Sequence, residues 1–233
     1  MTIAEQLKRA KADLDAVYEA GKKADGGGGD DLFQYATKIE GLFIRAAFRD
    51  NYELTLSVPN CLTSLTEFIR QTTGLRKVTL NIPLTQSYKP TYFAYRNTDI
   101  EEIVFPNEIE EINGIEVIKG IKFTDLTNFV SQASSLVQIT GTMDLSESTN
   151  NATGFTSCPA LKEVQFKTGS ITKSISFNSS SNLSNASIDS IIAGLADLTG
   201  KTTQTLTVHE TVYNKIIAEY DISSDKNWTL AKA

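Results

Sequence analysis

The side chains best suited to catalysis are carboxylates, and their spacing does not form a catalytic set. Glycoside hydrolysis needs two carboxyl groups at a defined separation in a cleft. Glu110 and Glu111 are neighbours in sequence and would point to opposite faces of a strand. We therefore interpret the acids of this region as solvated side chains. The group considered for a glycosidase comprises Glu108, Glu110, Glu111, Glu116 and Asp125.

Metal and nucleophile chemistry has few candidates. Asp144, Glu147 and Asn150 offer oxygen ligands for calcium, but their spacing does not match an EF-hand loop. His209 is the only histidine, which argues against multi-histidine metal sites and against serine or cysteine triads. We interpret His209 as a surface or capping residue. The sequence thus predicts no catalytic residue, no metal, no cofactor and no enzymatic activity.

Composition narrows the possible partners. The chain has 233 residues and a formal charge of −6, from 22 basic and 28 acidic side chains. This balance argues against an electrostatic grip on nucleic acid. No apolar run approaches the roughly 20 residues that cross a bilayer, and the N-terminus has no apolar core of a signal peptide. Cys61 and Cys158 form no metal-binding pair; free buried thiols are favoured over a disulfide.

One segment carries residues typical of a binding surface. Residues 87–97 combine three tyrosines with basic side chains, and tyrosine rings offer rigid contact area with a polar tip. They could stack on sugars or anchor a protein interface. The alternative is that some rings are half-buried in a return segment between strands. The predicted ligand contacts are Tyr88, Lys89, Tyr92, Tyr95 and Arg96.

The N-terminus predicts an oligomerisation or docking helix over residues 2–23. Apolar or small residues recur in alternating steps of four and three, as at the a and d positions of a heptad. Four consecutive glycines at 26–29 predict a flexible joint after it. The alternative is an amphipathic helix packed on its own domain. The oligomerisation contacts would be Ile3, Leu7, Ala10, Leu14 and Val17.

The middle of the chain repeats a short phrase. An aromatic residue is followed six or seven positions later by an LxxVxL-like strand, and the leading aliphatics are spaced by 25, 36 and 25 residues. Periods of 20–50 residues are typical of stacked repeats that share a core. The aromatic would cover the core from the return segment. The aromatics are Phe68, Phe93, Phe129 and Phe155, and the aliphatics Leu75, Ile100, Leu136 and Leu161.

The C-terminal region predicts a cap for the repeats. Ser187 is a good N-cap, apolar residues follow it at helical spacing, and Gly200 suits the position after the helix. A strand at 205–208, a second helix through Tyr220 and a strand from Trp228 would follow. Ile175 and Phe177 predict a further short strand before the cap.

These phrases resemble a known group of proteins. The repeats are similar to the irregular leucine-rich repeats of bacterial surface and phage tail proteins. The tail segments 182–200, 204–208 and 226–231 look like the end of leucine-rich-repeat proteins of tailed bacteriophages of Gram-positive hosts, with Asn227 where that group usually has glycine. The phrase at 17–23 is similar to the start of phage minor structural proteins.

The resemblance implies an α+β fold: a coiled-coil-like N-terminal helix, a short irregular leucine-rich-repeat solenoid and a helix-strand C-terminal cap. The expected divisions are a docking helix (1–24), a glycine-rich linker (25–31), the solenoid (32–181) and the cap (182–233).

The function implied is a non-enzymatic virion protein of the tail or baseplate, assembled in the host cytoplasm without a signal peptide. Expected partners are other tail or baseplate proteins, itself as a dimer or trimer, and a host-surface glycan or protein, with no nucleic acid and no membrane insertion. The alternatives are a bacterial leucine-rich-repeat adhesion protein and, with less support, a glycan depolymerase.

Overall fold

The computed structural model describes residue 45 and the ranges 47–57, 63–112 and 115–233. The predicted docking helix, its five contact residues (Ile3, Leu7, Ala10, Leu14 and Val17) and the glycine linker lie outside these ranges, as does Cys61. Those predictions stay predictions.

The described residues form twelve strands and three helices. The strands are β1 (Ala47–Ser57), β2 (Thr73–Asn81), β3 (Ser87–Tyr88), β4 (Glu102–Val104), β5 (Glu108–Ile112), β6 (Ile115–Lys119), β7 (Ile121–Phe123), β8 (Gln138–Asp144), β9 (Glu163–Phe166), β10 (Ile175–Phe177), β11 (Gln204–Val208) and β12 (Trp228–Lys232). The helices are α1 (Asn185–Gly194), α2 (Glu210–Glu219) and α3 (Ile222–Lys226).

The predicted fold class, α+β with a leucine-rich-repeat solenoid, is wrong for the residues that the structure describes. The described residues are mostly parallel β-sheet, curled into a half-barrel, and only 14% of them are helical. Seven strands form the main sheet in the order β1-β2-β4-β8-β7-β3, with β9 also paired to β8. The prediction failed because β3, in the segment interpreted as a return between strands, and β7, in the stretched repeat, both pair within the main sheet.

The main strands form because alternate residues face a shared core. Val78 pairs with Ile103 and Ile103 with Ile139, in parallel register, and all three side chains are buried. Their outward neighbours form a second, polar row, in which Lys77 is paired with Glu102 and both are partly exposed. The period of two in the sequence therefore separates a core face from a solvent face.

A column of phenylalanine rings fills the core behind the strands, as the sequence predicted. Phe68 stacks on Phe93 with ring centroids 5.7 Å apart, and Phe93 lies 5.6 Å from Phe129. Phe155 follows at 5.9 Å and Phe177 at 4.9 Å from its predecessor. All five rings are at most 1% exposed. Pairs at these separations stabilise beyond the area they bury, by about 0.5–1.5 kcal/mol each.

Four return segments, here called the arms, run beside this column: residues 64–71, 89–96, 125–132 and 150–157. They are joined by backbone hydrogen bonds from one arm to the next. The N–H of Ile69 donates to the carbonyl of Phe93 at 2.9 Å, and that of Ala94 to Phe129 at 2.8 Å. The N–H of Val130 donates to Gly154 at 3.0 Å. The arms therefore form a second ladder that satisfies backbone groups outside the sheet.

An insertion explains why one repeat is 36 residues long. Strands β5 and β6 pair as an antiparallel hairpin that leaves the sheet after β4. Asn107 lies at the base of the hairpin, and its side-chain oxygen accepts the N–H of Thr142 at 2.8 Å. The chain re-enters the sheet at Gly120, where a Cβ atom would lie 2.7 Å from the Thr142 carbonyl oxygen. Glycine is required there for this close approach.

The C-terminal region adds a second parallel sheet, β10-β11-β12. The predicted strands at 175–177, 205–208 and from Trp228 are confirmed, as is the second helix. The boundaries of the first helix were wrong. Its N-cap is Ser184, whose hydroxyl accepts the Ser187 N–H at 3.1 Å, and it ends at Gly194 rather than before Gly200.

Lys226 connects the C-terminal segment to the end of α1 by hydrogen bonds. The Lys226 ammonium donates to the Ile192 and Leu195 carbonyls at 2.8 and 2.9 Å, which places a positive charge at the helix C-terminus. Asn227 adopts a left-handed backbone with φ 57°. Asparagine tolerates this conformation better than most residues.

Phe129 is the ring with the most aromatic neighbours in the column, since it also contacts Phe105 and Phe123. We expect Phe129→Ala to lower the free energy of unfolding by about 3–5 kcal/mol, because it leaves a cavity among rigid rings. Urea denaturation measures this change. The control is Ile217→Ala at an exposed site, with an expected effect within about 0.5 kcal/mol. Equal effects of the two substitutions would contradict the role given to the column.

Candidate binding surface

The five predicted ligand contacts lie in or next to the second arm, but they do not share one surface. The predicted ligand contact at Tyr88 is corrected by the structure, because the Tyr88 ring is fully buried. Its hydroxyl donates to the Pro83 carbonyl at 2.8 Å and accepts from Gln86 at 3.0 Å. Burial raises the pKa of Tyr88, and the hydrogen bond from Gln86 only partly opposes this. Tyr88 is a core residue and is not available to a ligand.

Lys89 lies at the start of the arm and is exposed. Its ammonium is 3.8 Å from the carboxylate of Asp125, the residue at the same position of the next arm. An exposed pair at this distance contributes little to stability. Its interaction is therefore with the neighbouring arm, away from the tyrosines that follow.

Tyr92, Tyr95 and Arg96 do lie together. Arg70, which the sequence did not predict as a binding residue, also contacts them. These four residues are here called the arginine–tyrosine cluster. The two rings meet edge to face, with centroids 5.3 Å apart. The Arg70 guanidinium carbon is 5.5 Å from each ring centroid, and that of Arg96 is 5.0 Å from the Tyr95 centroid. Cation–π contacts of this kind contribute about 0.5–1 kcal/mol each at exposed sites.

Hydrogen bonds and an ion pair hold both arginines in place. Arg70 forms an ion pair with Glu67, three residues earlier, and the Arg70 side chain is only 28% exposed. Arg96 is exposed, and its Nε donates to the side-chain oxygen of Gln132 at 3.1 Å. The same Gln132 amide donates weakly to the Tyr95 hydroxyl at 3.4 Å. The cluster is thus ordered before any partner arrives.

The backbone that presents these side chains is unusual. Tyr92 and Arg96 both have φ 56°, in the left-handed region. The conformation recurs at matching positions of the neighbouring arms, where Asn128 has φ 50° and Gln132 has φ 63°. For a non-glycine residue it costs about 1–2 kcal/mol. The hydrogen bonds between arms hold it, and it turns these side chains outward along the edge of the stack.

The sequence contained a signal that would have found Arg70. Arg70 and Tyr95 are 25 residues apart, which is the spacing of the leading aliphatics at 75 and 100. Neighbouring arms pair in register, so residues one repeat apart lie side by side. The repeat spacing therefore holds for the polar residues between the core positions as well as for the core itself.

The other candidates for chemistry are already engaged. Glu147 accepts from Ser87 at 2.5 Å and from Lys122 at 3.1 Å, and the Asn150 amide donates to Thr127 at 2.8 Å. Over the described residues, no group of three or more histidine, cysteine, aspartate or glutamate side chains could hold a metal ion. His209 is the N-cap of α2, where Nδ1 accepts the Thr211 N–H at 3.2 Å, so its predicted capping role is confirmed.

Cys158 is free and buried, as predicted. Its thiol donates to the Val130 carbonyl at 3.2 Å. Burial raises the pKa of Cys158 to about 12, so the thiolate that reacts with electrophiles or binds metals is scarce near neutral pH.

A cavity lies against β8 and β9, beside the N-terminus of α1. Its volume is about 320 Å³, and its lining includes Asn107, Thr140, Gln165 and Ser187. Glu163 is the one acidic residue among those that line it, and its carboxylate already accepts from the Ser184 hydroxyl at 2.7 Å. The cavity lacks the second carboxyl group that glycoside hydrolysis uses.

Comparison with protein-family models, curated proteins and solved structures found no match to this chain. Across the part of the chain that the structure describes, no helix is long and apolar enough to span a membrane.

Asp144, one of the calcium candidates, is instead a buried carboxylate paired with Lys167, whose side chain is 41% exposed. The Asp144 side chain is 2% exposed and accepts from Lys167 at 2.8 Å and from the Ser146 N–H at 3.0 Å. Burial alone would raise the pKa of Asp144, but the bonds from Lys167 and Ser146 outweigh it and lower the pKa below its usual value.

A carboxyl group with a lowered pKa stabilises the fold above its ordinary pKa of about 4 and loses that contribution as the pH falls through the lowered value. We expect Asp144→Asn to reduce the free energy of unfolding at neutral pH and to flatten its decline in acid. Urea denaturation of both proteins at a series of pH values measures this. Parallel pH curves for the two proteins would contradict the assignment.

Proposed function

We propose that the protein is a non-enzymatic tail or baseplate component of a tailed bacteriophage, which binds a host surface through its arginine–tyrosine cluster. It would be assembled in the host cytoplasm with the virion. The heptad pattern of residues 3–17 predicts how it attaches, either to itself or to another tail protein.

The observation that carries the binding role is the order of the cluster. Tyr92 and Tyr95 are partly exposed, yet they are fixed by two guanidinium groups and by each other. Side chains that are ordered in advance lose little entropy on binding, which raises affinity without new contacts. Tyrosine and arginine are also the residues most enriched among those that dominate binding energy.

The tail setting has separate support, from the sequence alone. The phrases at 17–23 and 226–231 resemble phage structural proteins at opposite ends of the chain. The absence of enzymatic activity is proposed because Asp144 and Glu147 serve ion pairs and hydrogen bonds and His209 caps a helix. A depolymerase remains the opposing hypothesis in the experiment below.

The experiment is co-sedimentation of the purified full chain with cell walls isolated from several Gram-positive bacteria. The test variant carries Tyr92→Asn and Tyr95→Ser, because Asn128 and Ser131 stand at these positions in the next arm and suit its backbone. We expect the wild type to bind at least one wall preparation and the variant to bind about tenfold more weakly or worse.

The control is Arg76→Gln, on the solvent face of β2 and away from the arms, where Arg76 is paired with Glu53 and Glu101. It should bind as the wild type does, and thermal unfolding should show all three proteins folded. Undiminished binding by the tyrosine variant, or no wall binding by the wild type, would contradict the proposal. Release of soluble sugars from the walls would favour the depolymerase.

A further inference from the structure

A second row of residues lies beside the tyrosines. Arg45, Gln71, Arg96 and Gln132 occupy matching positions of successive segments, and we call them the arginine–glutamine column. All four have left-handed backbones, with φ of 53°, 53°, 56° and 63°. The Arg45 N–H donates to the Arg70 carbonyl at 2.9 Å, so residue 45 continues the ladder of the arms by one step.

Arginine and glutamine alternate along this column, and each arginine is fixed in the same way. Nε of Arg45 donates to the side-chain oxygen of Gln71 at 3.0 Å, and Nε of Arg96 donates to that of Gln132 at 3.1 Å. Because Nε is the nitrogen used, the two terminal nitrogens of each guanidinium remain directed away from the glutamine. These nitrogens form the edge that binds an oxyanion with two parallel hydrogen bonds.

The charge of the column is uncompensated within the described structure. Side chains are described for four arginines, and two of them, Arg70 and Arg76, are paired with glutamates. Arg45 and Arg96 are exposed, and the hydrogen bonds of their guanidinium groups go to neutral glutamines. A guanidinium fixed in position, accessible and without a carboxylate partner is ready to bind an anion.

The spacing of the two arginines selects among anions. Parallel segments joined by backbone hydrogen bonds lie about 4.8 Å apart, so residues two segments apart are separated by about 10 Å. Two sugar rings of an extended polysaccharide cover a similar length. A glycan with a carboxylate on alternate sugars would therefore present one carboxylate to each arginine, with the partly exposed Tyr92 beside the column.

We propose that Arg45 and Arg96 bind an extended acidic polysaccharide, one uronate carboxylate to each guanidinium, with Gln71 and Gln132 as positioning residues. This inference rests on the proposed binding function and names its class of ligand. The net charge of −6 opposes general attraction of polyanions, so the fixed geometry of the column supplies the selectivity.

The test is calorimetric titration of the full chain with two probes: hyaluronan oligosaccharides, which carry a carboxylate on alternate sugars, and polygalacturonate, which carries one on every sugar. Monomeric glucuronate and neutral dextran are the comparison ligands. We expect the polymers to bind more tightly than glucuronate, because a second contact on the same chain forms at high effective concentration. Dextran should not bind.

The variants Arg96→Gln and Arg45→Gln are matched to the fold, since glutamine already occupies this left-handed position at Gln71 and Gln132. Each should weaken polymer binding about tenfold, to near the affinity for glucuronate. The double variant should abolish binding, and Arg76→Gln should leave it unchanged. Equal weakening by Arg76→Gln would mean nonspecific electrostatic attraction and would overturn the proposal, as would failure of the wild type to bind either polymer.

The outcome is separable from that of the proposed function. Wall binding that depends on Tyr92 and Tyr95, without binding of either polymer, would overturn the polysaccharide assignment alone. Wall binding that survives the tyrosine substitutions would overturn the role of the cluster, whatever the polymers do.

Discussion

The column of stacked phenylalanines is the constraint on which the rest of the structure depends. Its rings come from successive arms and from β10, and each ring is in contact with the next. An aromatic ring in a dry core must meet its neighbour at close range to keep its packing energy. The arms are therefore held in register, and their backbone groups can pair from one arm to the next. The curled sheet closes the other side of the same core, so one set of contacts fixes both ladders.

The fixed register is preserved around the β5–β6 insertion. The repeat that contains the hairpin β5–β6 is 36 residues long instead of 25, yet β4 and β8 on either side of the hairpin keep their pairing. Asn107 supplies the acceptor that a continuous strand would have supplied, and Gly120 and Gly141 permit backbone approaches that a Cβ atom would block. Long surface insertions cost little in loop entropy when the core around them is unchanged.

The sequence predicted local features well and their assembly poorly. Periodicity identified the strands that carry the repeated phrase and the buried phenylalanines, because buried residues recur at a fixed spacing in the sequence. The fold class was wrong because the pairing of β3 and β7 with distant strands leaves no local pattern. Ser187 was predicted as the N-cap, but Ser184, three residues earlier, carries the same hydroxyl group and is the residue that caps the helix. Arg70 was missed because its aromatic partners come from the next repeat, which only the register brings beside it.

The left-handed residues of the arms connect the fold to its surface chemistry. Each stores strain that an isolated segment would relieve, and the hydrogen bonds of the stack hold it in place. Because the backbone is fixed from outside, the side chain at such a position is not needed for folding: arginine, glutamine, glutamine and serine occupy matching sites at Arg96, Gln71, Gln132 and Ser157. The core thus sets a spacing of about 4.8 Å between segments, and the surface residues are free to use it. A ligand with a periodic backbone is the kind of partner that such a surface fits, because only a repeating molecule can match a repeated step.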